Sequence, residues 1–313
     1  MSELFWPGEA RAGDLFTDRA FLAAMVRVES AWAGVELAVP EGELDVEAGG
    51  NPVIPLLEAL RAAHPDVALH EGLTSQDVLD TALMLLLDEA FAAVEDDARR
   101  IIARLDALAA EHRDTPMLGR TLTQPALPIT FSDKVVAWAY GVREARIDLE
   151  GCSFQVQCGG PVGLGLTRSA ELAERLGLED APPWHTTRRP VTRAGDALVA
   201  TTDACGRIAR DVLELSRTGE LSEATGGGSS SMPHKHNPVL SVLIRRAALT
   251  TPMLGATLHL AAADQVDERA DGAWHAEWDT LRLLARRTAV TVSQTAELLD
   301  GLQVHVDVMR AQL

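Results

Sequence analysis

Five stretches of this chain place apolar residues at alternating spacings of three and four, the mark of one buried stripe along an α-helix. The first reads Leu83, Leu87, Ala90, Val94, Ala98, Ile101, Leu105 and Leu108. The second is Phe131, Val135, Trp138, Val142, Ala145 and Leu149, and the third is Leu198, Thr201, Cys205, Ile208, Val212 and Leu215. A fourth covers residues 239 to about 260 and should kink at Pro252. The fifth runs Trp274, Trp278, Leu281, Ala285, Thr288, Val292, Thr295 and Leu299. Long helices in this number predict a bundle.

Short alternating runs of aromatic and β-branched residues are scarce, so no sheet is expected. An earlier helix over residues 21 to about 37 belongs to a smaller N-terminal region, residues 1–73, ahead of a bundle over residues 74–313. Long helices without a sheet must bury their stripes on one another. Stripes this continuous exceed what one chain covers, so self-association is expected.

With 47% hydrophobic residues in 313, a substantial core is available. No run of eighteen uncharged apolar residues occurs, and the opening MSELFWPGEARAGD lacks the layout of a secretory signal. A soluble cytoplasmic protein without membrane contact is expected. Cys152, Cys158 and Cys205 fit neither a disulfide framework nor a zinc site and read as ordinary thiols. A net charge of −18 argues against nucleic acid, and an anionic substrate would need a locally basic pocket. Of the 28 basic residues only Lys134 and Lys235 are lysine.

Three segments between the helices carry candidate chemistry. Residues 70–77, His-Glu-Gly-Leu-Thr-Ser-Gln-Asp, open the first long helix, and Thr74 with Asp77 fits a capping box. The same helix N-terminus is equally suited to hold a carboxylate. Residues 119–125 read as a polar loop before the second long helix, with Pro128 near its first turn. The third segment joins Gly226, Gly227 and Gly228, a hinge, to Ser-Ser-Ser-Met-Pro-His-Lys-His-Asn-Pro over residues 229–238. A plain linker rarely ends in so rigid and cationic a run.

That run resembles the S-S-x-M-P-x-K-x-N loop of the fumarase/aspartase superfamily. Residues 70–81 and 119–131 are similar to the first and second conserved regions of the same superfamily, in the expected order. Within it, residues 72–81, Pro-Trp-His-Thr at 183–186 and residues 268–278 look most like the 3-carboxy-cis,cis-muconate cycloisomerases, with the adenylosuccinate lyases the nearest competitor. Those lyases usually carry histidine after the Arg-Thr pair of the second region. Here that position is Leu122, which cannot transfer a proton.

The resemblance implies an all-α fold, a long-helix bundle with five central helices per chain forming a twenty-helix core in a homotetramer. Each active site would draw its three conserved regions from different chains. It implies lactonisation of a small anionic tricarboxylate, as in the protocatechuate branch of the β-ketoadipate pathway, through an aci-carboxylate, with no cofactor and no metal. The alternatives are a lyase releasing fumarate and an inactive oligomeric scaffold. By the family pattern Ser229 would move the proton while Lys235 and Asn237 stabilise the charge that develops. His70, Thr74, Ser75, Gln76, Arg120, Thr121, Gln124, Ser230, Met232 and Arg269 would bind substrate. Relatives generally continue into a small helical C-terminal domain, which a chain stopping at Leu313 would largely lack.

Overall fold

The computed structural model describes residues 4–224, 227–228, 232, 236–269 and 271–313. A short 3-10 turn at Glu9–Ala12 precedes α1 (Asp18–Ala33), α2 (Val46–Gly49) and α3 (Val53–Ala63). Then come α4 (Ser75–Glu111), a hairpin of β1 (Pro116–Thr121) and β2 (Gln124–Thr130), α5 (Phe131–Glu150) and α6 (Ser169–Leu176). The chain continues with α7 (Arg189–Arg217), β3 (Leu221–Glu223), α8 (Val239–Ala263), α9 (Gly272–Asp300), β4 (Leu302–Val304) and α10 (Val306–Ala311).

The long helices α4, α5, α7, α8 and α9 form the all-α bundle that the stripes predict. Every residue of the first three stripes is buried, and of the fifth only Trp278 is not. Successive helices run antiparallel, as cross-helix contacts show. Arg143 on α5 meets Asp106 on α4 at 2.6 Å. Trp138 Nε1 donates to Asp211 on α7 at 2.8 Å. The hydroxyls of Thr202 on α7 and Thr251 on α8 lie 2.7 Å apart. Capping boxes start α4 at Thr74 and Asp77 and α5 at Thr130 and Asp133.

Three expectations need correction. The N-terminal helix spans Asp18–Ala33: Thr17 accepts from the Ala20 N–H at its start, and Gly34, at φ 74°, ends it in the left-handed conformation before residue 37. Residues 119–125 are not a loop but the turn end of a β-hairpin, with Arg120 opposite Pro125 and Thr121 opposite Gln124. Its turn residues Leu122 and Thr123 both have positive φ, 49° and 67°, a conformation their sequence does not advertise. Pro128 lies in β2 rather than in the first turn of α5. Pro252 lies inside helix α8.

Among the described residues, α8 is the one helix long and apolar enough to cross a membrane, with a mean hydropathy of 1.2 over 18 residues. It packs against α7 and α9. Val242, Leu249, Met253 and Leu260 leave an exposed apolar stripe on its other side.

Candidate active site

At the N-terminus of α4, Asp77 does more than cap. One carboxylate oxygen accepts the Gly159 N–H and faces His185 Nε2, both at 2.8 Å. The other accepts Thr74 N–H at 2.9 Å and Gly160 N–H at 3.0 Å. The helix start, the glycine-rich segment and His185 are thereby tied to one buried side chain. Gly159 is required there, because a Cβ would sit 2.6 Å from His185 Cε1. His185 Nδ1 is buried and has no partner among the described residues.

One turn along, Asp80, Arg188 and Glu277 form a fully buried ion network. Arg188 reaches both oxygens of Asp80, at 2.7 and 2.9 Å, and Glu277 at 2.6 Å. Burial opposes the Arg188 charge, but Asp80 and Glu277 outweigh it and hold the guanidinium above its ordinary value. Burial also raises the Glu277 carboxyl, partly offset by Arg188. Trp274 Nε1 donates to Asp80 at 2.9 Å. Gln76 donates to Asp80 and, at 2.8 Å, to the His185 carbonyl. Gln76 thus sits in the network beneath the helix N-terminus, with no exposed surface.

The half-buried Thr74, Ser75 and Arg269 sit above this network, and Arg269 donates to the Thr74 hydroxyl. His70, in the left-handed conformation at φ 65°, places Nδ1 2.6 Å from the buried Glu29 carboxylate. This end of the bundle gathers His70, Thr74, Ser75, Gln76 and Arg269.

The remaining predicted residues lie elsewhere. Arg120 points into the buried Glu220 carboxylate at 3.0 Å, and Thr121 and Gln124 flank the exposed hairpin turn. Asn237 pairs through its backbone with Gly227, at 2.8 and 2.9 Å, and its amide donates to Gly228 O. Met232 is exposed. Ser229, Ser230 and Lys235 lie outside the described residues, as does Gly226 of the expected hinge. The hairpin follows the C-terminal end of α4, whose 37 residues extend about 55 Å. The two groups of sequence-predicted residues therefore lie at opposite ends of the bundle.

The sequence matches the Lyase family over residues 41–251. The chain belongs to this family, within the fumarase/aspartase superfamily. Among its lyase relatives, the nitrosuccinate lyase of Streptomyces davaonensis is 41% identical, the match covering 95% of this chain and 73% of that protein. The 3-carboxy-cis,cis-muconate cycloisomerase of Bradyrhizobium diazoefficiens is 38% identical, over 94% and 73%. Among solved structures, the 3-carboxy-cis,cis-muconate lactonizing enzyme of Pseudomonas putida superposes with a TM-score of 0.91 at 30% identity, covering 100% of this chain and 80% of that one. A fumarate lyase from Mesorhizobium gives 0.89 at 30% identity, over 97% and 77%.

Sequence reasoning missed Glu29, Asp80, Arg188, Glu220 and Glu277. Asp80 had a usable signal, as a charged residue inside the stripe of a helix otherwise buried at that level. The thiols behave as expected: burial pushes Cys158 up to about 12 and Cys205 to about 11.

Proposed function

We propose that this enzyme interconverts 3-carboxy-cis,cis-muconate and 4-carboxymuconolactone by addition and elimination at the carbon β to a carboxylate. The observation that carries this reading is Leu122 at the exposed tip of the hairpin, 96% accessible and beside the Arg120–Glu220 pair. In the elimination direction a base removes the proton α to one carboxylate and the electron pair delocalises into an aci-carboxylate. The lactone C–O bond then breaks, its pair leaving on a carboxylate oxygen. So weakly basic a leaving group departs unprotonated, and no general acid is needed where Leu122 stands. An amine expelled from a succinyl adduct does need one, which disfavours adenylosuccinate-type cleavage.

Ser229 is assigned the proton transfer by the family pattern, with Lys235 and Asn237 stabilising the charge. Three substrate carboxylates would be shared between His70, Thr74, Ser75 and Arg269 at one end and Arg120, Thr121, Gln124, Ser230 and Met232 at the other. Because those ends are far apart in one chain, a homotetramer with antiparallel neighbours would complete each site. The exposed α8 stripe of Val242, Leu249, Met253 and Leu260 supports such an assembly. A boundary between the N-terminal region and the bundle at 73/74 is supported by Gly72, whose φ of 79° turns the chain into the α4 cap.

A second reading, elimination of nitrite from nitrosuccinate, is favoured by the 41% identity to the Streptomyces enzyme. Nitrite is also a weakly basic leaving group, so Leu122 fits both. Loss of diene absorbance from 3-carboxy-cis,cis-muconate supports the first reading. Nitrite release from nitrosuccinate without that loss replaces it with the second.

A further inference from the structure

A cleft of about 880 Å³ opens between α1, residues 42–52, α4 and α9. Its walls include Phe16, Phe21, Leu22, Met25, Leu83 and Trp278. The volume suits a small organic molecule. Trp278 contributes its ring to this wall, while its indole Nε1 is buried away from the cleft.

The charges around the cleft exclude the anionic substrate class. Asp18, Glu43, Glu47 and Asp279 line it, all of them exposed. Among the described lining residues the one arginine, Arg282, is committed to Asp18 at 3.0 Å and faces Asp279 at 3.7 Å. The cleft is therefore acidic on balance even with its arginine counted. It also offers π surfaces, with the ring centroids of His275 and Trp278 4.4 Å apart at a tilt of 38° and Phe16 and Phe21 on the same walls. Aromatic faces behind carboxylates attract an organic cation twice, through the ring quadrupoles and through the field at the entrance.

We propose that this cleft binds a small ammonium ion with an apolar body, at a site separate from the one that takes the carboxylate substrate. The site does not depend on which reaction the enzyme catalyses. His275 Nε2, 2.8 Å from Gly50 O, ties the 42–52 wall to α9, so the cleft exists before any ligand arrives.

The test is calorimetric titration of the intact protein with 2-phenylethylammonium, 2-phenylethanol and 3-phenylpropionate, in parallel with tryptophan fluorescence. The ammonium ion should bind, with the alcohol at least about fivefold weaker and the carboxylate weaker still. Charge reversal at two exposed positions, Glu43→Lys with Glu47→Lys, should weaken the ammonium ion at least about tenfold. Leu22→Trp, which fills the cleft, should abolish binding of every probe. Equal affinity for the three probes, binding that survives both lysine substitutions, or no binding of the ammonium ion at all would each overturn the proposal.

Discussion

Glu29 and His70 meet at 2.6 Å, carboxylate to Nδ1, beside the start of α4. Glu29 is wholly buried, so the contact fixes the imidazole from behind. A carboxylate oxygen accepting from Nδ1 leaves Nε2 as the second ring nitrogen, and holding a substrate carboxylate there requires a proton on both nitrogens. Holding His70 in the left-handed conformation costs energy that the surrounding contacts must offset.

Glu29→Ala should lower kcat/KM about tenfold, which corresponds to about 1.4 kcal/mol. In a His70→Ala background the same substitution should change little further. A double-mutant cycle on kcat/KM, with melting temperatures measured alongside, separates this from plain destabilisation. Equal losses in both backgrounds would show that Glu29 acts on the fold alone.

The Asp80–Arg188–Glu277 network predicts unequal sensitivity. Asp80 accepts from Arg188, Trp274, Gln76 and Gln157, so Asp80→Ala strands several buried donors and should cost about 3–5 kcal/mol in denaturant unfolding.

Glu277→Gln tests pH dependence instead. The Glu277 carboxyl is held above its ordinary value of 4.5, chiefly by burial. A raised folded-state value means that its stabilising contribution is full below the ordinary value and is lost as pH climbs through the raised one. The stability advantage of wild type over Glu277→Gln should therefore shrink as pH rises from about 4.5. An advantage that grew over that range would contradict the assignment.

The hairpin turn offers a gain-of-stability test. Leu122 and Thr123 occupy two positive-φ positions, which Asn-Gly would fill with less strain. Leu122→Asn with Thr123→Gly should raise unfolding free energy by about 1 kcal/mol. Gly119→Ala should act the opposite way, because its Cβ would lie 2.7 Å from the Leu127 carbonyl oxygen.

The proposed sharing of each site between chains predicts complementation. Arg269→Ala and Asn237→Ala should each be nearly inactive alone, yet mixed oligomers should recover a fraction of wild-type turnover. Leu249→Asp with Met253→Asp, on the exposed α8 stripe, should shift light-scattering mass toward the monomer and remove activity with it. Full activity in a monomer would contradict the shared site.

The bundle was legible because helix burial leaves a period in the sequence: stripes such as Leu83 to Leu108 are buried throughout. The hairpin was not, since Leu122 and Thr123 carry no turn chemistry and their conformation is imposed by the strand pairing around them. The motif segments named His70, Thr74 and Arg269 as substrate-binding residues, and the structure gathers these three at one end of the bundle. They gave no sign that Arg120 is paired with Glu220, because residues a hundred positions apart leave no local pattern. Buried partners such as Glu29 and Glu277 escaped for the same reason.

Glu223 accepts the backbone N–H groups of Leu240 and Ser241, at 3.0 and 2.9 Å, so one carboxylate fastens the strand before residues 224–238 to the helix after them. The Gly227–Asn237 bridge adds a second tie just inside. Both ends of the segment bearing Ser229 and Lys235 are thereby anchored by described residues. Lengthening it or rewriting its interior should leave the bundle's melting behaviour almost untouched, since doubling a closed loop costs only about 0.6 kcal/mol. Chemistry can thus diverge among chains of this fold without a matching change in the scaffold that carries it.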